Sequence, residues 1–193
     1  MPAPSTPLLQ FQPMTALPLI RPAGTADVAA IVEIYAHYVR NSTVTFETDP
    51  PDATEIARRR ADVEARGLPY VAAEVDGAVL GYAYAVPYRP RPAYRFTVED
   101  SIYIHPDHIG RGLGRSLLAA LIEACERWGA RQMVAVIGGS DNLASVKLHE
   151  RFGFHRAGLL QSVGFKFGRW LDSVLMQKAL GSGNETPPQE QTG

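Results

Sequence analysis

The stretch Gly110-Arg-Gly-Leu-Gly-Arg-Ser116 is the strongest indication of the fold of this chain. It follows a short apolar run, Ser101-Ile-Tyr-Ile-His105, and leads into a segment whose apolar residues recur at helical spacing. A strand, a glycine-rich turn and a helix in that order direct the backbone amides of the helix N-terminus at open space. The stretch therefore predicts an α/β domain with a pocket for a phosphorylated ligand.

The spacing of the glycines excludes two common phosphate-binding motifs. A dinucleotide fingerprint has the order G-x-G-x-x-G near the first strand, whereas this chain has Gly110-x-Gly112-x-Gly114 past its middle. A Walker A loop places a lysine after its last glycine, and this chain has Arg115 there. The remaining interpretations are a pyrophosphate-binding turn with basic residues and a glycine-rich turn that binds nothing.

The composition indicates one small domain. The chain has 193 residues, a formal net charge of −1 and one cysteine, Cys125. Because prolines interrupt the first segment and polar residues dominate the last, we expect a disordered extension over 1–16, a domain over 17–180 and a disordered tail over 181–193. The near-neutral charge disfavours nucleic acid and membrane as partners. A lone cysteine fits a reducing compartment, so we expect a cytoplasmic protein.

The periodicity of the apolar residues predicts the element order β-α-α-β-β-β-α-β-α-β-β. This order is typical of an α/β mixed sheet with helices on both faces. The Asp76-Gly77 pair predicts a hairpin between two of the strands. The helix over 117–128 is expected to bury one apolar face and to end at Gly129. The three arginines at 58–60 of the second helix are interpreted as a solvated face.

Several motifs together resemble one protein family. They are Glu99-Asp-Ser-Ile-Tyr-Ile-His-Pro, the glycine stretch at 110–116, Asn142-x-x-Ser145 and Leu148-His149-x-x-x-Gly153-Phe154. This pattern resembles the GNAT superfamily of acetyl-CoA-dependent N-acetyltransferases over residues 19–180. Further segments are similar to its phosphinothricin and methionine-sulfoximine N-acetyltransferases, namely Ser42-Thr-Val-Thr-Phe46, Ala93-Tyr94 and Val163-Gly-Phe-Lys-Phe-Gly-Arg-Trp170.

The resemblance implies a fold, a reaction and partners. The fold would be a mostly antiparallel twisted sheet with a splayed central strand pair, and acetyl-CoA would be the acyl donor. The acceptor would be the α-amino group of a small amino-acid analogue, and the assembly a homodimer. We expect no metal, since His105 and His108 have no evident third ligand. Another small amine or a protein N-terminus as acceptor, and a non-catalytic acyl-CoA sensor, stay open as alternatives.

The resemblance also assigns a cofactor site. The turn would hold the pyrophosphate through backbone amides and arginine charge, with the residues Gly110, Arg111, Gly112, Leu113, Gly114 and Arg115. The strand residues Ile102, Tyr103 and Ile104 would pair their backbone with the pantetheine arm. The Ile104 amide would face the thioester carbonyl as an oxyanion-hole donor, and core packing of the isoleucines is compatible with this. Asn142 would contact the cofactor arm, or only cap its helix.

Glu99 and His149 are the catalytic candidates. An amine arrives protonated at neutral pH and must lose a proton before it attacks. Glu99 matches the position of the family's proposed base, with an exposed glutamate paired to an arginine as the alternative. Its neighbour Asp100 should point to the opposite face of the sheet. His149 stands where many family members have a tyrosine and would transfer a proton at the thiol, or serve only as a structural residue.

The segment just before Glu99 is the expected acceptor site, because arginines and tyrosines cluster there. Arg89 and Arg91 suit carboxylate or phosphinate oxygens through paired hydrogen bonds. A basic surface loop with no ligand would have the same composition. The residues expected to form this pocket are Phe46, Arg89, Arg91, Ala93 and Tyr94.

Overall fold

The computed structural model of the chain describes residues 17–188. Its strands and α-helices follow the predicted order: β1 (Leu19–Pro22), α1 (Val28–Asn41), α2 (Ala53–Glu64), β2 (Tyr70–Val75), β3 (Ala78–Pro87), β4 (Thr97–Ile104), α3 (Leu113–Trp128), β5 (Gln132–Gly138), α4 (Leu143–Arg151), β6 (His155–Lys166) and β7 (Arg169–Ala179). The predicted extension 1–16 and residues 189–193 of the predicted tail lie outside the described residues.

The strands form one mixed sheet in the order β1-β2-β3-β4-β5-β7-β6. Every neighbouring pair is antiparallel except β4 and β5, which run parallel. The predicted hairpin connects β2 to β3, with both Asp76 and Gly77 at positive φ. The predicted mixed, mostly antiparallel sheet is confirmed.

The sheet opens between its two parallel strands. β4 pairs with β5 only over residues 97–100, and the last matched residues are Asp100 and Ala135. Beyond that point β4 continues against β3 to Ile104, while β5 continues against β7 to Gly138. The predicted splayed strand pair is therefore present, and its gap lies in the middle of the sheet.

Helices cover both faces of the sheet. On one face, α1 and α2 lie over Tyr70, Tyr82 and Tyr84, whose stacked rings have centroids 4.9–6.2 Å apart. On the other face, α3 packs against β2, β3 and β4, and α4 packs against β5. α3 buries its predicted apolar face and ends at Gly129 in the left-handed conformation. The glycine turn is thereby fixed at the open end of β4.

The three arginines at 58–60 do not share one environment, so the predicted solvated face is wrong for Arg60. Arg60 lies four residues after Ile56 and three before Val63, and this helical spacing places it on the buried face of α2. Arg60 is buried, donates from Nη1 to the Ala23 carbonyl at 3.0 Å and pairs with Glu64. Arg58 remains exposed among the carboxylates of its own helix.

Replacing Arg60 with methionine is expected to lower the free energy of unfolding by about 1–3 kcal/mol, because the Ala23 carbonyl loses a buried donor. Arg58→Met on the same helix is the matched control and should leave stability unchanged, since exposed ion pairs contribute little. Urea unfolding followed by circular dichroism measures both variants. Equal unfolding midpoints for the two would contradict the prediction.

Candidate active site

The glycine turn forms an open cradle at the start of α3. Gly110 and Gly112 have φ values of 80° and 88°, a conformation that other residues disfavour. A Cβ built on Gly112 would meet no atom within 4 Å, so the space beside the turn is free. The first amides of α3 have no acceptor inside the helix and carry the positive end of its dipole. Arg115 is exposed at the edge, whereas the Leu113 side chain is buried and only its backbone can reach a ligand.

The edge of β4 that faces the gap offers unpaired backbone groups. The His105 amide donates to Leu80 of the neighbouring strand at 2.8 Å. Because strand backbone groups alternate in direction, the amides of Ile102 and Ile104 point the other way, into the gap. The Tyr38 hydroxyl donates to the Ile104 carbonyl at 2.5 Å and so anchors this edge to α1. The gap therefore contains directed amides next to the cradle.

Glu99 lies on β4 just before the strands part. Its side chain is 26% exposed, and Arg89 Nη1 lies 3.8 Å from Oε2. Burial raises the pKa of Glu99 above the usual carboxyl range, the charge of Asp100 adds to the increase, and Arg89 opposes it. A carboxylate with a raised pKa is suited to accept a proton near neutral pH.

Asp100 points to the opposite face, as predicted, and there it meets His149. His149 Nε2 lies 3.0 Å from Asp100 Oδ2, and Nδ1 lies 2.8 Å from the Ser145 carbonyl. Both side chains are almost fully buried. Burial alone would lower the pKa of His149, but the hydrogen bond to Asp100 and its charge raise it overall. The assignment of His149 as a proton carrier at the thiol stays a prediction.

The loop before β4 presents the predicted acceptor residues. Arg89 lies over the Tyr88 ring at 4.1 Å, and Tyr94 packs edge-on against the same ring. Arg91 and Ala93 are exposed on the short 3-10 turn Pro92–Tyr94 and its flank. Only Arg89 of these residues forms an ion pair with Glu99 in the described part of the chain. The loop thus places one guanidinium group beside the candidate base.

Phe46 approaches from the other side of the gap, on the loop between α1 and α2. Its ring packs where β5 and β6 carry glycines, and a Cβ built on Gly164 would lie 2.5 Å from the ring. At Gly138 an added Cβ would lie 2.8 Å from the Thr43 carbonyl. Lys166 holds the same loop by donating to the Thr45 carbonyl at 2.8 Å. The loop is therefore fitted closely to the sheet.

A polar network lies behind this loop and was not predicted from the sequence. The Tyr35 hydroxyl donates to Glu47 at 2.9 Å and lies 2.9 Å from the Thr45 hydroxyl. Arg59 pairs with Glu47 at 2.6 Å. These contacts fix the residues on both sides of Phe46. No spacing rule connects residues of α1, the loop and α2, so these contacts could not be predicted. The only indication of a polar network in the sequence is the density of polar residues after Phe46.

Asn142 caps α4, as the alternative interpretation of this residue proposed. Its side-chain oxygen accepts from the Ser145 amide at 3.3 Å. An open cleft of about 370 Å³ lies beside it, lined also by Ser42, Asp141 and Arg169. Contact between Asn142 and a cofactor stays a prediction, and the cap leaves its amide nitrogen free to make one.

The described residues contain neither a metal-binding cluster nor a membrane-spanning helix. Across residues 17–188, no group of three His, Cys, Asp or Glu side chains is arranged to hold a metal ion. No helix in the same range has the length and apolar character needed to cross a bilayer.

The sequence profile of the acetyltransferase (GNAT) family matches residues 31–154. The chain belongs to the GNAT family of acetyltransferases. A phosphinothricin N-acetyltransferase of Alcaligenes faecalis is 56% identical to this GNAT protein over 170 residues, which cover 88% of this chain and 86% of the relative. An L-methionine sulfoximine/L-methionine sulfone acetyltransferase of Salmonella typhimurium is 44% identical over 164 residues, covering 83% and 94% of the two chains.

A solved GNAT structure has the same architecture. The phosphinothricin acetyltransferase of Sinorhizobium meliloti, crystallised in complex with AcCoA, superposes with a TM-score of 0.87 at 46% identity and covers 90% of this chain and 94% of its own. The predictions of family, fold class and acyltransferase activity made from the sequence are confirmed by these relatives.

Proposed function

We propose that this GNAT protein transfers acetyl from acetyl-CoA to the α-amino group of a small amino-acid analogue of the phosphinothricin, methionine sulfoximine or methionine sulfone type. The observation that carries the proposal is Glu99, a half-buried carboxylate that lies where the sheet opens, beside the arginine-bearing loop. The relatives named for these substrates are 56% and 44% identical to the chain.

The cradle and the gap fit acetyl-CoA, which supplies the acyl group as a thioester when bound. Residues 110–115 offer helix N-terminal amides and the charges of Arg111 and Arg115 to the pyrophosphate. The backbone of Ile102 and Ile104 faces the gap, where the amide groups of a pantetheine arm would find matching donors and acceptors. Asn142 reaches the same arm from the start of α4.

The chemistry is direct transfer between acceptor and thioester. Glu99 takes a proton from the ammonium group, and the freed nitrogen attacks the carbonyl carbon. A C–N bond forms and the C–S bond breaks, while the second amine proton neutralises the departing thiolate. The Ile104 amide donates to the carbonyl oxygen as negative charge develops on it.

The acceptor lies between the loop before β4 and the loop that carries Phe46. Arg89 and Arg91 bind its acidic oxygens, because a planar guanidinium pairs well with carboxylate and phosphinate groups. Tyr94 and Ala93 form the wall next to them, and the Phe46 ring forms the opposite wall. This arrangement brings the α-amino group to Glu99.

A panel of amines tests the proposed function. Release of free thiol from acetyl-CoA should be fast with phosphinothricin, methionine sulfoximine and methionine sulfone, and slow with a peptide N-terminus. Glu99→Gln should lower kcat by about 10²- to 10⁴-fold, the usual contribution of a positioned base. Cofactor affinity, measured by calorimetry, should not change in this variant. Unchanged turnover in Glu99→Gln would remove the base assignment, and binding without turnover of any amine would support a sensor.

Arg89 should control the pH dependence of the reaction. The base acts when deprotonated, so kcat/KM falls as the pH falls through the raised pKa of Glu99. Because Arg89 lowers that pKa, Arg89→Met should move the acid limb of the kcat/KM profile to higher pH. Arg95→Met is the matched control, since Arg95 stacks on Phe96 and has no ion pair to Glu99 among the described residues. An identical limb in wild type and Arg89→Met would contradict the prediction.

A homodimer and a cytoplasmic location are part of the same proposal. β6 is an edge strand, and it presents exposed apolar side chains together with β7: Leu159, Leu160, Val163, Phe165 and Trp170. An unpaired edge strand can pair with another chain, and a contiguous exposed apolar patch marks a site of association. The single cysteine, Cys125, is buried and unpaired, which fits a reducing compartment.

Light scattering should therefore return twice the 21.0 kDa mass of the chain. Phe165→Glu should yield monomers, because it places a charge on the apolar edge of β6. Leu19→Glu is the matched control, since Leu19 is equally exposed but lies on β1 at the other edge of the sheet. Monomeric wild-type protein would contradict the proposed dimer.

A further inference from the structure

A buried ion pair connects β4 to α4 at the point where the sheet opens. The side chains of Asp100 and His149 are 2% and 4% exposed, and their bonded atoms lie 3.0 Å apart. Asp100 is the last residue of β4 that is matched to β5. The contact bridges 49 residues of sequence and joins a strand to a helix. It is separate from Glu99, whose side chain faces the acceptor loop.

The hydrogen bonds of His149 determine how many protons the pair holds. A backbone carbonyl only accepts, so the contact with Ser145 places a proton on Nδ1. The contact between Nε2 and Asp100 needs a further proton between the two atoms. The pair therefore holds one proton more than a neutral histidine beside a carboxylate, which corresponds to an imidazolium facing a carboxylate.

No other described group near Asp100 can balance its negative charge. Its second oxygen, Oδ1, is buried and has no hydrogen-bond partner within residues 17–188. On α3, burial and the charge of Asp100 raise the pKa of Cys125 to about 12, so that thiol stays neutral. Phe154 covers His149 with an edge-on ring contact at 4.9 Å. Glu99 is a second carboxyl group, so it cannot balance the charge of Asp100 and repels it instead. The imidazolium of His149 is thus the cation that balances Asp100.

α4 also touches the cradle directly. Leu148, next to His149, lies over Gly114 of the glycine turn, and a Cβ built on Gly114 would lie 3.3 Å from its Cδ2. Asn142 begins the same helix beside the open cleft. A change in the position of α4 against β4 therefore changes the space in which the cofactor is proposed to lie.

We propose that Asp100 is a positioning residue, which holds α4 in place through a proton shared with His149 and so sets the shape of the acetyl-CoA site. The proposal rests on the proposed function only for the identity of the cofactor. The hydrogen bonds of His149 require the shared proton, and the bond to Asp100 raises the pKa of His149 above that of a free imidazole. The contact is therefore complete below that pKa and is lost as the pH rises through it. Cofactor affinity should weaken over the same interval.

Asp100→Asn removes the charge of the side chain and keeps its size and shape. Asparagine can donate to a neutral His149 and keep a hydrogen bond, but it no longer holds the extra proton. Acetyl-CoA affinity, measured by calorimetry, should fall on the order of tenfold, below the roughly hundredfold that an ångström of misplacement can cost. Its pH dependence should be flatter than that of wild type on the alkaline side. Titration of acetyl-CoA itself is common to all the proteins compared.

Val146→Ala is the matched control, because Val146 is also buried on α4 but carries no ionisable or hydrogen-bonding side chain. It should lower stability and leave the alkaline loss of affinity as in wild type. Nitrogen-15 NMR of histidine-labelled wild-type protein provides a readout without ligand: both ring nitrogens of His149 should be protonated at neutral pH.

Three outcomes would overturn the proposal: an unprotonated His149 ring nitrogen at neutral pH, wild-type affinity in Asp100→Asn, or the same pH dependence in both proteins. Failure of the proposed function looks different. Wild-type protein would then bind acetyl-CoA with the expected pH dependence and acetylate none of the amines in the panel.

Discussion

The separation of β4 from β5 is the constraint on which the whole site depends. Two parallel strands share hydrogen bonds as far as Asp100 and Ala135, and then each keeps only its outer neighbour. Backbone groups inside a sheet must find partners, and Tyr38 supplies one for the Ile104 carbonyl. In the proposed function, the amides that remain form a binding surface made of main chain, and the side chains orient what it holds.

Alternation along β4 gives two adjacent carboxylates different surroundings. Glu99 is half-buried beside Arg89, at the mouth of the gap, where a proton can enter and leave. Asp100, one residue later, is enclosed by helices and balanced by His149. Because a strand directs successive side chains to opposite faces, one short segment can serve the acceptor on one side and the scaffold on the other. The proposed base and the proposed positioning residue are therefore adjacent on a single strand.

Features that depend on neighbouring residues were predictable from the sequence. The glycine turn, the Asp76-Gly77 hairpin and the buried face of α3 all depend on spacing within a few positions. The opposite direction of Asp100 followed from strand alternation alone. The family resemblance supplied the splayed strand pair and the candidate base, which no periodicity encodes.

Contacts between distant segments were not predictable in the same way. Arg60 finds the Ala23 carbonyl 37 residues away, and His149 finds Asp100 49 residues away. Such partners depend on how α2 and α4 are rotated against the sheet, which is decided by packing of the whole core. The same limit applies to the glycines under the Phe46 loop. Gly164 lies in a segment that resembles the family, but the segment alone does not reveal that the glycine accommodates a ring from another part of the chain. The strand glycines and the Phe46 ring that packs on them therefore tolerate substitution differently. A larger residue at Gly138 or Gly164 would collide with the Phe46 loop, whereas trimming the ring itself opens room toward the gap. Variation in acceptor size should therefore accumulate at Phe46 and leave the strands beneath it unaltered.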